Sequence, residues 1–139
     1  SGLCIRVEEC GLGFRLRLAG YRSWYAPDSV AHHVGSATTG KTSDFTIYHG
    51  CRNTVWTYVK NMPGLLFWLL LPAHLAVVVM LFAKLAWRGQ GTVAYRAFRD
   101  AAIGLGGALR KRRAIQSTRR AGLWELWCVL NKALPGFRR

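Results

Sequence analysis

Four groups of side chains in this sequence have the types and spacing that chemistry needs. Glu8 and Glu9 are adjacent carboxylates, and a carboxylate beside an alcohol can take its proton as the oxygen attacks an electrophile. His32 and His33 adjoin in a stretch expected to be extended, so their rings point to opposite faces and one at most serves a given site. A neutral imidazole there can bind a divalent metal. Gly35 to Thr42, GSATTGKT, has the phosphate-loop spacing GxxxxGK[ST], in which backbone amides cradle phosphates, Lys41 reaches the outer ones and Thr42 holds magnesium. Arg52-Asn53 opens an expected helix that carries Val55, Trp56, Tyr58 and Val59, and an arginine can clasp phosphate through two parallel N–H bonds.

Each group also has a plain structural use. The glutamates sit at an expected helix start, where they stabilise the positive end of the dipole. Either histidine can be a hydrogen-bonded structural residue, and Arg52 a surface cation. A working phosphate loop needs a buried parallel sheet and a further acidic strand, whereas the chain after Thr42 soon becomes strongly apolar. Cys4, Cys10, Cys51 and Cys128 form no CxxC pair, which fits reduced thiols better than a disulfide framework. A zinc site from His32, His33, His49 and Cys51 would match no common finger spacing.

Three regions must position these groups. Residues 1–62 read as mixed α/β. Phe14, Leu16, Leu18 and Ala19 with Arg15, Arg17 and Arg22 make an amphipathic helix ended at Gly20. Residues 23–26 and 29–34 are strand-like, with Pro27-Asp28 as the turn. Residues 63–87 are a hydrophobic segment without a formal charge across the 20 residues from Gly64 to Ala83, about 30 Å of helix and just enough to span a bilayer. Residues 88–139 are a basic helical tail: a helix over 92–109, the cationic connector RKRRAIQSTRR, and a helix over 120–134. Leu123, Leu126, Trp127, Leu130 and Leu134 line one face of the last, suited equally to a neighbouring helix or to lipid.

The net charge of +14 is concentrated in that tail. Residues 1–64 carry seven Lys/Arg against four Asp/Glu, and residues 88–139 carry twelve against two. Such a tail wants a polyanion. Trp124 and Trp127 beside a long apolar segment favour anionic membrane lipid over nucleic acid.

The ordered run EECGLGFRLRLAGYRSWYAPDSVAHHVGS, continued by YHGCRNTVWTYVKNMP, resembles the C-terminal part of the catalytic domain of family 2 glycosyltransferases, and within them the bacterial rhamnosyltransferase-type enzymes of surface polysaccharide synthesis. The resemblance implies an α/β fragment of a GT-A domain, transfer from a nucleotide-sugar donor to a glycan or lipid-linked acceptor, and inversion by direct displacement. It implies Glu9 as the base, His33 as a ligand of a divalent cation (Mg²⁺ or Mn²⁺), and Arg52 and Asn53 as substrate-binding residues. Two positions depart from the family pattern. Glu9 replaces the usual aspartate, and Gly11 stands where a further acid is usual. The longer side chain moves the carboxylate by about 1 Å, a misplacement that can cost roughly a hundredfold in rate. The nucleotide-binding half and its Asp-x-Asp motif, which supplies further cation ligands, do not precede Glu8. The expectation is a fragment, inactive by itself, of a larger enzyme.

A simple crossing by residues 63–87 would separate the acid region from the basic tail, yet sugar nucleotides and the positive-inside rule put both in the cytoplasm. Pro72 and His74 interrupt the apolar run. A bent, interfacial or re-entrant pair of helices at the cytoplasmic membrane face resolves the conflict. Trp68 and Trp87 are then interfacial, Lys84 snorkels, and Arg110, Lys111, Arg112 and Arg113 meet headgroups. The rival readings are a small basic membrane- or nucleic-acid-binding protein without catalysis, and a phosphate-loop NTPase.

Overall fold

The computed structural model describes residues 6–22, 24 and 43–130, with the backbone alone for 6–10 and 129. Its elements are α1 (Arg6–Leu18), α2 (Asp44–Asn61), α3 (Gly64–Trp87), α4 (Gly91–Ile103), α5 (Leu105–Ser117) and α6 (Leu123–Val129). No strand or sheet occurs among the described residues, which overturns the α/β, GT-A reading of residues 1–62. The apolar repeats of α1 and α2 bury against other helices, with no sheet to receive them. Of the expected strands, only Trp24 is described, and it lies outside any regular element.

The ends of these helices follow from local chemistry. Gly20 takes φ +90°, and the amides of Gly20 and Tyr21 close onto the carbonyls of Arg17 and Leu16, so α1 stops where the sequence predicts. Ser43 caps α2 by accepting from the Thr46 amide at 3.3 Å. Met62-Pro63 ends α2, and α3 begins at once. At the far end of α3, Gly89 takes φ +76° and the Gln90 amide returns to the Leu85 carbonyl at 2.9 Å. The chain then doubles back into α4.

Helix α2 is the hub; α1, α3, α4 and α5 all pack on it. Ala94, Ala97 and Ala101 line one face of α4 and are almost fully buried, and such small side chains let helix axes approach closely. Ile47, Cys51 and Leu85 complete that core. A second core joins Leu18, Leu66, Ala121 and Leu126, with Leu123, Trp127 and Leu130 packed on it. The tail stripe therefore packs against helices; its last member, Leu134, lies outside the described residues.

Two expectations for the tail and the apolar segment are corrected. The supposed connector over 110–120 is largely helix α5. Its inward positions include Arg112 and Gln116, which donate to the carbonyls of Val59 (2.8 Å) and Asn61 (3.1 Å) at the end of α2. Polar side chains thus occupy a face that a hydrophobic pattern cannot reveal. The apolar segment is one continuous helix through Pro72, not a pair. The amide that proline lacks is lost on the outer side, where Pro72 is exposed.

Candidate membrane-docking face and the residues beside it

Helix α3 is long and apolar enough to cross a membrane by length and composition. At 24 residues it spans about 36 Å. One narrow seam of it faces the other helices along its whole length. Leu66 enters the second core, the Phe67 ring lies 5.2 Å from that of Tyr58, and His74 stacks on Tyr58 at 4.0 Å. Leu81 and Leu85 pack in the first core. The rest of its circumference is open: Leu65, Trp68, Leu69, Leu75, Val79, Met80 and Trp87 are exposed. An apolar surface this continuous marks a partner or a membrane.

The basic helix abuts the start of this face. Arg112 donates to the carbonyls of Val59 and Met62, and its guanidinium sits 4.7 Å from the centre of the Phe67 ring. Through Nη1 it serves as the C-terminal cap of α2. Burial pulls its pKa down, partly offset by Tyr58. Burial in turn raises the Tyr58 phenol, whose O–H donates to the Phe67 carbonyl. Arg110, Lys111 and Arg113 are exposed, as are Lys84, Trp68 and Trp87. Of the seven residues assigned to membrane contact by sequence, Arg112 alone is drawn inward.

Glu8 and Glu9 lie on the first turn of α1, which packs on α2. His32, His33 and the whole GSATTGKT loop fall outside the described residues. Arg52 and Asn53 do not open a helix; they lie in the middle of α2. The Arg52 guanidinium is held between the rings of Trp56 (4.6 Å) and Tyr48 (5.3 Å), with Nη2 2.9 Å from His49 Nδ1. Its Nε is buried without a hydrogen-bond partner among the described residues. This side chain is fixed in orientation and under-satisfied, which suits an anion.

Three residues with a place in the site carried little sequence signal. Tyr58, Asn61 and His74 line a cavity of about 270 Å³ between α1, α2 and α3, with Phe14, Met62 and Leu130. Asn61 is buried, and among the described residues both its Oδ1 and the Nε2 of His74 lack a hydrogen-bond partner. Desolvation lowers the His74 pKa, which keeps the imidazole neutral. The available hint was spacing: Phe67, His74 and Leu81 recur every seven residues, one stripe of α3.

No protein-family model, curated protein or solved structure matches the chain.

Proposed function

We propose that this chain is the membrane-seated, acceptor-side part of an inverting glycosyltransferase, which moves a sugar from a nucleotide donor to a glycan or lipid-linked acceptor at the cytoplasmic face of the cell membrane. The observation that carries the reading is the ordered run from Glu8-Glu9 through Gly20-Tyr21-Arg22 to Arg52-Asn53. Its support in the fold is that α1, bearing the acids, and α3, bearing the open apolar face, pack on the same helix that holds Arg52. The helical architecture replaces the α/β one expected for these residues.

In this reading the Glu9 carboxylate removes the acceptor hydroxyl proton while the oxygen attacks the anomeric carbon. The bond to the nucleoside diphosphate breaks from the opposite face, so the configuration inverts. Arg52 offers a fixed positive charge to phosphate. No three His, Cys, Asp or Glu side chains converge on a cation among the described residues, and His33 lies outside them.

Transfer of labelled sugar from a panel of nucleotide sugars into membrane lipid or glycan, by the protein that carries this chain, tests the proposal. Glu9→Gln should keep donor binding and lose turnover by about two orders of magnitude or more. Glu9→Asp should keep or raise it. Unchanged turnover in Glu9→Gln would remove the base and the proposal with it.

A further inference from the structure

We propose that the cavity between α1, α2 and α3 seats the hydrocarbon chain of the acceptor lipid, a site that rests on the glycosyl-transfer reading. Its walls are the rings of Phe14 and Tyr58 and the side chains of Met62 and Leu130. Thr54 turns its hydroxyl back to the Gly50 carbonyl at 2.8 Å, which leaves its methyl for the cavity. No Lys, Arg, Asp or Glu lines it among the described residues. A phosphate or nucleotide would therefore lack a counter-charge, whereas an apolar chain needs none. At about 270 Å³ it lies at the low end for ligand pockets, the right size for a length of chain rather than a whole lipid.

Two further observations set the occupant and its direction. His74 lines the cavity and the next residue on α3, Leu75, is exposed, so one helix supplies both the cavity wall and the open apolar face. In this proposal the chain enters the cavity from the side of that apolar face. Among the described residues the buried Asn61 Oδ1 has no partner, and a hydroxyl at the polar end of the ligand supplies the proton it lacks. Asn61 abuts α1: a Cβ at Gly11 would lie 3.7 Å from Asn61 Nδ2.

Photocrosslinking of the full chain in phosphatidylglycerol-containing nanodiscs tests this with two probes. One is an isoprenyl alcohol with a diazirine on its chain, and the other a phosphatidylglycerol with a diazirine on an acyl chain. The isoprenyl probe should label Asn61, Met62 and Thr57, which also lines the cavity. Labelling should fall about tenfold, a loss of roughly 1.4 kcal/mol in occupancy, in Thr57→Phe, which fills the space, and persist in Thr57→Val. The phospholipid probe should label Leu75, Val79 and Met80 instead. Should Thr57→Phe not fold, competition in the unmodified chain reads the same point: excess unlabelled isoprenyl alcohol should remove the labels at Thr57, Asn61 and Met62. Equal labelling of these residues by both probes would mean a bulk-lipid site and overturn the acceptor assignment. Absence of label there with either probe would mean a cavity holding water only, and overturn it altogether. The readout needs no sugar donor, so a labelled cavity in a protein that transfers no sugar would keep the lipid-chain site and fail the transferase reading alone.

Discussion

The imidazole of His74 lies flat on the phenol ring of Tyr58, with centroids 4.0 Å apart and planes 6° from parallel. This contact fastens the middle of α3 to α2, between the anchors Leu66 and Leu85 near its ends. A helix leaving the bundle to cross a bilayer would break all three. The helix is thus fastened to the bundle by one seam along its length, with the rest of its apolar surface left open.

His74→Phe should therefore preserve the stack, while His74→Ala should destabilise the protein by about 1–3 kcal/mol, as lost stacking and a new cavity act together. Chemical denaturation in mild detergent, followed by tryptophan fluorescence, reads the difference. Equal midpoints for the two variants would show that the stack contributes nothing.

Leu75→Glu and Val79→Glu alter the open face without touching either core. Each should lower partition onto anionic vesicles by about tenfold or more, since burial of such a side chain is worth roughly 1.5–3 kcal/mol. Helix content by circular dichroism should not change. Flotation with vesicles is the assay, and full retention of binding would remove α3 from the interface.

The basic cluster should divide in two. Arg112→Ala takes away the bonds to Val59 and Met62 and should cost about 1–3 kcal/mol of stability, with little effect on the dependence of binding on lipid charge. Arg113→Ala should leave stability alone and weaken binding to phosphatidylglycerol by at most about 1 kcal/mol. Denaturation and vesicle titration on both variants decide it; the reverse pattern would contradict the capping role.

Two glycines should respond in opposite directions. A Cβ at Gly11 meets no atom closer than 3.6 Å, so Gly11→Ala should stabilise α1 by about 0.5–1 kcal/mol. At Gly104 the Trp56 ring occupies the place of a Cβ, and the Trp56 indole donates to the Ala101 carbonyl at 3.0 Å. Gly104→Ala should lower the midpoint of thermal unfolding, and a rise would mean that Trp56 moves aside freely.

Acid should reveal the tie between α2 and α4. The Tyr48 hydroxyl donates to Asp100 Oδ2 at 2.7 Å, and this bond, with Arg99, holds the Asp100 carboxyl below its ordinary value. A carboxyl depressed by folding contributes stability above its unfolded pKa of about 3.9, and loses it as pH falls through the lower folded value. The gap in stability between the unmodified protein and Tyr48→Phe should be present at neutral pH and narrow only below about pH 4. A gap independent of pH would assign the bond no linkage to Asp100.

Legibility in the sequence tracked how far each feature depends on local chemistry. The stop at Gly20 was readable because an αL cap is set by one residue, and the extent of α3 because uncharged length is counted directly. Helix α5 was not, because Arg112 and Gln116 take inward positions to satisfy α2 carbonyls, and a charged run then reads as a solvated connector. The start of α2 was missed by eight residues, from Arg52 back to Asp44, since the Ser43 cap lacks a following Glu or Gln. The sheet was inferred from two short β-like segments, while every described element found its apolar partner on another helix. Among the candidate residues, Glu9 and Arg52 stand out by residue type and by the family resemblance, whereas Asn61 and Tyr58 look like ordinary helix residues until tertiary packing leaves one unsatisfied and stacks the other.

The shortness of the joints around α3 bears on how its open face is presented. Met62-Pro63 on one side and Arg88–Gln90 on the other are all that separate it from helices bound to a common body. Tethers this short keep both ends of α3 beside the bundle, so its open face is presented to any partner surface as part of the whole body. Wherever Leu65, Trp68 and Met80 lack a cover, the folded protein carries an apolar stripe that favours self-association.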